Sequence, residues 1–454
     1  MELRPYQHEA IDALMQFYNK GHAITGLCVL PTASGKTIVF AEFIRQLLFI
    51  KSDLRVLLLA HTQEIVQQNE DKLKQVWPDV EVGVYCASLQ RKEIKQITSA
   101  SRDSIVNCIG DYPYWDLVII DEAHLIPPAQ TARYQYILDT INLHGKQPIV
   151  IGFTATPFRM SSGDIYDENT TYNKRNFQTS DKYKGKFFKT LIYKKRIDEL
   201  TNTGYLCPVR AVVTNSNAIA DTSKVRVSKN DYMQKDLEQV TALESIVQPI
   251  VQDWLNKTSA KLATVFYASS VAQGEIFEHI LADLGFYFPL ITAKTSKAER
   301  ANYLRAFAVG ELNGLINVAT LTTGWDAPRL ACIVNARPTM SAGLFLQIVG
   351  RGLRLHPSKT ETLLLDYGKN LERFGLIERV KPVLEDKTNH DHTDLVTSCK
   401  VCDSIVSVYE LVCPFCTETL RDDDISVCYD CNAGNDRYAQ FCEVCGEELA
   451  ENSC

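Results

Sequence analysis

No apolar run in the 454 residues approaches the roughly 18 that a membrane-spanning helix needs, which excludes a helical bilayer protein. The opening residues, MELRPYQHEA, are charged and polar and lack the apolar core of a secretory signal, so a soluble, cytoplasmic protein with no membrane partner is expected. Cysteine is sparse up to residue 398, where Cys28, Cys86, Cys108, Cys207 and Cys332 sit mostly among apolar neighbours and read as small buried hydrophobes. Bases are scarce at the other end. Residues 399–454 hold twelve acids against Lys400, Arg421 and Arg437, so this segment carries −9 of a net −7 and the rest of the chain stands at +2. An acidic total therefore does not exclude a nucleic-acid partner.

What is present is an ordinary globular composition, 45% apolar and 23% charged, long enough for about three domains. Apolar strands such as GLCVL (26–30), RVLLLA (55–60), DLVII (116–120) and PIVIGF (148–153) alternate with helical patterns. The alternation recurs through ATVFYA (263–268), YFPLIT (287–292), GLINVAT (314–320), ACIVNA (331–336) and TLLLDY (362–367). Continuous apolar strands between helices predict parallel sheets covered on both faces, hence two α/β domains in tandem, residues 1–205 and 206–385. Residues 160–205 are polar and poorly periodic, and Lys174 to Arg196 hold nine bases and one acid. They read as a solvated face or as a basic excursion over 160–196 that contacts phosphates. A hydrophilic linker over 386–398 leads to a cysteine-rich end at 399–450.

The stretch LPTASGKTIVF (30–40) resembles a phosphate-cradling loop that has lost glycines, with Leu30 and Ala33 where two often stand. Thr32, Ala33, Ser34, Gly35, Lys36 and Thr37 lie between a predicted strand and a predicted helix, where backbone N–H groups and the helix start favour phosphate. Lys36 is expected to reach the β- and γ-phosphates of ATP, and Thr37 to hold Mg²⁺. A left-handed Ala33 would cost only about 1–2 kcal/mol.

In DLVIIDEAH an apolar strand delivers Asp121 and Glu122 at its C-terminal end, where open parallel sheets place their ligands. Asp121 is expected to hold Mg²⁺ through water, and Glu122 to orient and deprotonate the attacking water. QIVGRGLR (347–354) supplies Arg351 and Arg354, which helical spacing puts one turn apart on one face. Facing the first domain, they would serve as arginine fingers, with domain closure required for hydrolysis.

LRPYQ (3–7), PTASGKT (31–37), LAHTQE (59–64), DEAH (121–124), TATPFR (154–159), ATLTTGWDAP (319–328) and QIVGRGLR occur in that order. Together they resemble a superfamily-2 helicase core of the DEAH-box type over about 380 residues, which implies two RecA-like domains. The resemblance implies that Gln7, with Arg4 and Tyr6 nearby, reads the adenine, and that Gly324 and Asp326 line the cleft from the second domain. It also implies that Thr154 and Thr156, with His124 and Gln347, couple hydrolysis to strand movement. Thr62 stands where many relatives carry a base, and Trp325 replaces a commoner Phe.

The tail repeats itself. Cys399, Cys402, Cys413 and Cys416 form one C-x₂-C-x₁₀-C-x₂-C unit, and Cys428, Cys431, Cys442 and Cys445 form another at a 29-residue offset. Two tetrahedral Cys₄ sites, and so about two Zn²⁺ ions, are expected, paired either sequentially or in a crossed fashion, with Cys454 left over. Because every named catalytic residue lies no later than Arg354, the tail is expected to fold on its own metal and the ATPase core to stand without it. The ending CNAGNDRYAQFCEVCGEEL is similar to the tail of the bacterial RadD family of DNA-repair ATPases. That resemblance implies a nucleoid-associated monomer acting in recombination or break repair, with single-stranded or branched DNA, single-stranded-DNA-binding protein and RecA as partners. An RNA remodeller uses the same motifs, since they grip phosphates and carry no base code. A module that uses ATP only as a switch is a third reading, because an acidic tail suits protein more than phosphate.

Overall fold

The computed structural model describes residues 2–20, 25–111, 114–126, 131–142, 147–159, 163–166, 187–228, 231–321, 325–378, 396–408, 410–420, 425–428, 434–436 and 439–442. The chain divides into two compact units, Met1–Leu206 and a second that begins at Cys207.

In the first unit the helices α1 (Pro5–Asn19), α2 (Lys36–Ile50) and α3 (Gln63–Val76) accompany ten strands. These are β1 (Thr25–Val29), β2 (Val56–Ala60), β3 (Val82–Cys86), β4 (Arg91–Lys92), β5 (Ile97–Ser101), β6 (Leu117–Ile120), β7 (Ile149–Thr154), β8 (Phe158–Arg159), β9 (Gly163–Asp164) and β10 (Thr190–Lys194). Eight form one sheet in the order β10-β1-β7-β6-β2-β5-β3-β4, parallel but for the β3–β4 pair. The apolar runs β2 and β6 are buried at every position, as strands covered on both faces must be. Register sets the site: Val29 pairs with Thr154, Ile120 with Gly152 and Leu59 with Ile120. The chain therefore leaves β1, β2, β6 and β7 along one edge of the sheet.

Two of these strands carry no strong sequence signal. In β5, Ile-Thr-Ser-Ala-Ser, the hydroxyls are satisfied internally, Ser99 donating to the Val66 carbonyl at 3.0 Å and Thr98 to that of Lys95 at 2.8 Å. β10 falls within the expected basic excursion yet extends the sheet beside β1, anchored by the buried Phe188. Residues 160–162 and 167–186 of that run lie outside the described residues.

The second unit contains β11 (Val209–Ala211), β12 (Val227–Ser228), β13 (Asp231–Tyr232), β14 (Thr264–Tyr267), β15 (Leu290–Ile291), β16 (Gly314–Asn317), β17 (Cys332–Asn335) and β18 (Thr362–Asp366). Six form a parallel sheet in the order β11-β18-β17-β14-β16-β15. Its core gathers around Trp254, whose ring meets Phe266, Phe286 and Phe288 edge-on at 5.2–5.6 Å. The Trp254 N–H donates to Thr264 Oγ1 at 3.1 Å, so burying this large ring leaves no orphaned donor. Cys28, Cys86, Cys207 and Cys332 are buried. Among the described residues no helix is long and apolar enough to cross a membrane.

The described residues of the cysteine-rich end group with the second compact unit. Its strands β19 (Val396–Ser398) and β20 (Ile405–Ser407) form one antiparallel hairpin, and β21 (Ile425–Val427) and β22 (Gly434–Asp436) another. Val396 pairs with Ser407 in the first and Ile425 with Asp436 in the second, so the 29-residue repeat is reproduced register for register.

Candidate nucleotide site and cysteine cluster

The loop from Leu30 to Gly35 joins β1 to α2, and two of its residues have left-handed backbone, Ala33 at φ +68° and Gly35 at φ +82°. Ala33 thus adopts a conformation that glycine enters at no cost. The Ser34 carbonyl accepts from the Tyr6 hydroxyl at 2.6 Å and from Gln7 Nε2 at 3.1 Å, while Ser34 Oγ donates to the Pro31 carbonyl at 2.7 Å. At φ +82° any side chain on Gly35 would be strained, and its Cβ, 2.7 Å from Gln7 Nε2, would also displace the Gln7 amide. Gln7 Oε1 in turn accepts from the Arg4 backbone N–H at 2.9 Å. Arg4 donates to the Tyr205 carbonyl at 3.1 Å and lies 5.3 Å from that ring's centroid. Tyr205 was not foreseen: nothing local marks an aromatic residue 201 positions away in sequence.

β6 ends at Ile120, and the next two residues carry the acids. Asp121 is buried, and its Oδ1 accepts from the Glu122 N–H at 2.9 Å. Burial and the neighbouring Glu122 carboxylate push the Asp121 carboxyl well above the usual range, against the opposing pull of Lys36. A divalent cation at these oxygens would relieve that cost, so the donor set suits Mg²⁺. Glu122 has a left-handed backbone, φ +48°, uncommon for a non-glycine residue and concentrated at functional sites. Its Oε1 lies 3.6 Å from Lys36 Nζ and its Oε2 3.3 Å from His124 Nδ1. His124 Nδ1 is also 2.9 Å from Thr154 Oγ1, which accepts from the Thr156 N–H at 3.0 Å. Lys36, Glu122, His124, Thr154 and Thr156 are thereby strung along the C-terminal edge of one sheet. Thr32 and Thr37 are half-buried beside them.

Thr62 caps α3, accepting from the Ile65 N–H at 3.4 Å. His61, just before it, borders a cavity of about 680 Å³ with Gln63, Tyr85, Lys92, Ser101 and Asn107. Its Nε2 lies 3.0 Å from the Tyr134 hydroxyl, and burial holds the imidazole's pKa down at about 4. The motif in which His61 stands was visible, but this pairing was not.

In the second unit the expected helical face for the two arginines is corrected. Gln347 lies on the helix Ala342–Val349, which ends before Arg351. Gly350 and Gly352 disfavour continuation, and the chain tightens, Arg351 N–H bonding to Ile348 O at 3.2 Å and Gly352 N–H to Val349 O at 2.9 Å. Arg351 and Arg354 follow in turns but still converge, because Arg351 donates to the Trp325 carbonyl and Arg354 pairs with Asp326. Gly324 lies outside the described residues. Asn317 Oδ1 accepts from Thr320 N, Thr320 Oγ1 and Leu321 N at 2.7–3.2 Å, shaping a turn in which Ala319 has φ +57°.

The sulfurs of Cys399, Cys402, Cys413 and Cys416 all lie within 4.8 Å of one another. Cys399 Sγ is 3.5 Å from Cys416 Sγ, and Cys402 Sγ is 3.6 Å from Cys413 Sγ. A tetrahedron with Zn–S bonds of about 2.3 Å spaces its sulfurs about 3.8 Å apart, so the cluster fits zinc. Each C-x₂-C arm turns the same way. Asp403 (φ +56°) donates to Cys399 O, and Thr417 (φ +62°) to Cys413 O, both at 2.9 Å. The four sulfurs of one unit thus gather with one another, the arrangement that sequential pairing requires. Cys428 and Cys442 are buried, while Cys431, Cys445 and Cys454 lie outside the described residues.

The family described as type III restriction enzyme, res subunit, matches residues 1–159, and the helicase conserved C-terminal domain matches residues 241–356. The chain is similar to IRC3 of Saccharomyces cerevisiae, 29% identical over 382 residues, 80% of this chain and 51% of the relative. It is 27% identical over 346 residues to the DNA 3′-5′ helicase XPB of Kineococcus radiotolerans, 72% of this chain and 52% of that protein. It therefore spans about half the length of these curated relatives. A solved fragment assigned to the HsdR subunit of a type I restriction enzyme from Vibrio vulnificus YJ016 superposes with a TM-score of 0.58 at 22% identity, over 82% of this chain and 66% of that one. That likeness is one of fold, two RecA-like parallel-sheet domains in tandem.

Proposed function

We propose that this chain, which belongs to the superfamily-2 helicases, hydrolyses ATP to move on or remodel DNA. The observation that carries the reading is the run from Lys36 through Glu122 and His124 to Thr154. It offers a cation for phosphates, a carboxylate for water and a hydrogen-bonded route away from both. Lys36 and the N–H groups at the start of α2 would bind the phosphates, and Thr37 and Asp121 would hold Mg²⁺. Bound Mg²⁺ supplies charge neutralisation at the β- and γ-phosphates. Glu122 orients the attacking water and takes its proton on the carboxylate. The proton stays on Glu122, and through its contact with His124 the change reaches Thr154 and Thr156 as a rearrangement of hydrogen bonds. Gln7 retains one N–H and one oxygen lone pair beyond its bonds to Ser34 and Arg4, enough to read an adenine edge. The family resemblance gives Arg351 and Arg354, with Gly324 and Asp326, a part in hydrolysis, and Gln347 a part in the coupling set.

DNA as the substrate is supported by the name of the XPB relative, and a role in repair and recombination by the resemblance of the tail to the RadD family. Single-stranded-DNA-binding protein and RecA are the partners that resemblance suggests, with the zinc tail docking them. The deciding experiment measures ATP turnover alone, then with single-stranded, duplex and forked DNA and with RNA. Strong stimulation by single-stranded or forked DNA is expected. Equal stimulation by RNA refutes DNA preference, and no stimulation by any strand refutes the motor.

A further inference from the structure

The strand β11 opens the second unit and is held from both sides. On its upstream side the Cys207 N–H donates to the Leu353 carbonyl at 2.8 Å, and Leu353 lies between Arg351 and Arg354 in sequence. The Thr362 N–H donates to the Pro208 carbonyl at 2.8 Å, fixing the same end of the strand against β18. Downstream, Val212 bridges Ser404 in antiparallel fashion, and the Val213 N–H donates to the Asp403 carbonyl at 2.9 Å. Arg210, bonded to Glu361 through its Nε at 2.9 Å, lies 6.0 Å from the centroid of the Phe415 ring. Asp403 is the turning residue of one C-x₂-C arm, and Phe415 sits inside the other. Both arms of the first cysteine cluster therefore grip an edge strand of only three residues, which pairs within the sheet with β18 alone.

We infer that the first Cys₄ knuckle is a brace for the arginine-bearing turn, positioning Arg351 and Arg354 through β11. An edge strand this short gains little from its own ladder, and a metal cross-link beside it supplies order that apolar burial does not. Asp403 is fixed because its own N–H bonds back to Cys399, a metal ligand by geometry. Order passes from the cluster to Val213, along β11 to Cys207, and from there to Leu353 between the two arginines. Among the described residues, none of these contacts comes from the second repeat. The cluster is thus a positioning element for ATP turnover, which departs from the tail's expected independence. The inference rests on the role given to the arginines.

Two variants test it. Cys413→Ser breaks the cluster, whereas Val213→Pro keeps all four thiols and removes the N–H that reaches Asp403, at a position beyond the Val209–Ala211 ladder with β18. Zinc content, hydrogen exchange over residues 207–213 and 350–354, and ATP turnover are measured on the full chain. Cys413→Ser is expected to bind one zinc ion fewer than the parent, and Val213→Pro the parental amount. Both should lose exchange protection over both segments, and kcat should fall on the order of ten- to a hundredfold at unchanged KM for ATP, the scale on which small misplacements act. Parental protection over 350–354 in either variant overturns the brace. If Arg351→Ala leaves kcat unchanged while both variants lose protection, the arginine assignment fails and the brace stands.

Discussion

Lys36 Nζ lies 3.6 Å from Glu122 Oε1, so the loop's flexible ammonium rests on the carboxylate that is read as the base for water. Nucleotide binding must part them, giving Lys36 to phosphate and freeing Glu122. Lys36→Ala is expected to abolish hydrolysis. Glu122→Gln should bind ATP as the parent does and turn over about 10²–10⁴-fold more slowly, the usual contribution of a positioned base. Parental single-turnover rates in Glu122→Gln would show that another group takes the proton.

Arg351→Ala and Arg354→Ala should each lower kcat strongly, within the ~10³–10⁵ range known for arginine fingers, and change nucleotide affinity little. Steady-state kinetics with equilibrium nucleotide binding separate the two effects. A change confined to KM in both variants rules out the assignment.

Ala33→Gly tests the left-handed loop. The parental alanine bears about 1–2 kcal/mol of steric cost there, while glycine adds up to about 1 kcal/mol of unfolded-chain entropy. The first unit should therefore gain up to about 1 kcal/mol. Chemical denaturation of parent and variant measures this, and a clear loss of stability contradicts the conformation assigned to Ala33.

These residues divide what was legible from what was not. The nucleotide loop, the DEAH run and the cysteine repeat stood out because their chemistry needs fixed residue types at short spacing. β5 did not, because its Thr and Ser resemble a loop until Ser99 is seen to bond Val66. β10 was hidden by the lysines around it, although Phe188 anchors it in the core and Phe187 and Leu191 pack against the same cluster. The arginine spacing suggested a helical face, yet Gly350 and Gly352 end the helix first, and convergence comes from Trp325 and Asp326 instead. Tyr205 beside Arg4 is a contact that only the folded chain reveals.

Metal analysis is expected to find about two zinc ions per chain, as two Cys₄ sets require. The sulfurs of the first Cys₄ set are already gathered, and the second hairpin repeats the first pair for pair. Chelation should expose eight reactive thiols beyond those of the untreated protein. A metal-free preparation with these thiols already reactive would refute the zinc assignment.

His61 predicts a pH dependence. Its folded pKa of about 4 lies below the ordinary 6.5, chiefly through burial and then through Arg102 and His124. Between those values the unfolded chain binds the extra proton, so the first unit should lose stability as pH falls from 6.5 toward 4, by at most about 3 kcal/mol. Denaturation of the parent and of His61→Gln at several pH values isolates this share. Parallel pH profiles for the two proteins exclude it.

The Ser34 carbonyl, held by both Tyr6 and Gln7, has a consequence on the opposite side of its own peptide plane. A trans peptide is rigid, so fixing the oxygen also fixes the N–H of Gly35, which points the other way. That N–H is aimed before any anion arrives. The loop with few glycines thus trades the freedom it lacks for an orientation already set, so a phosphate bound as proposed would find its donor waiting rather than having to turn it.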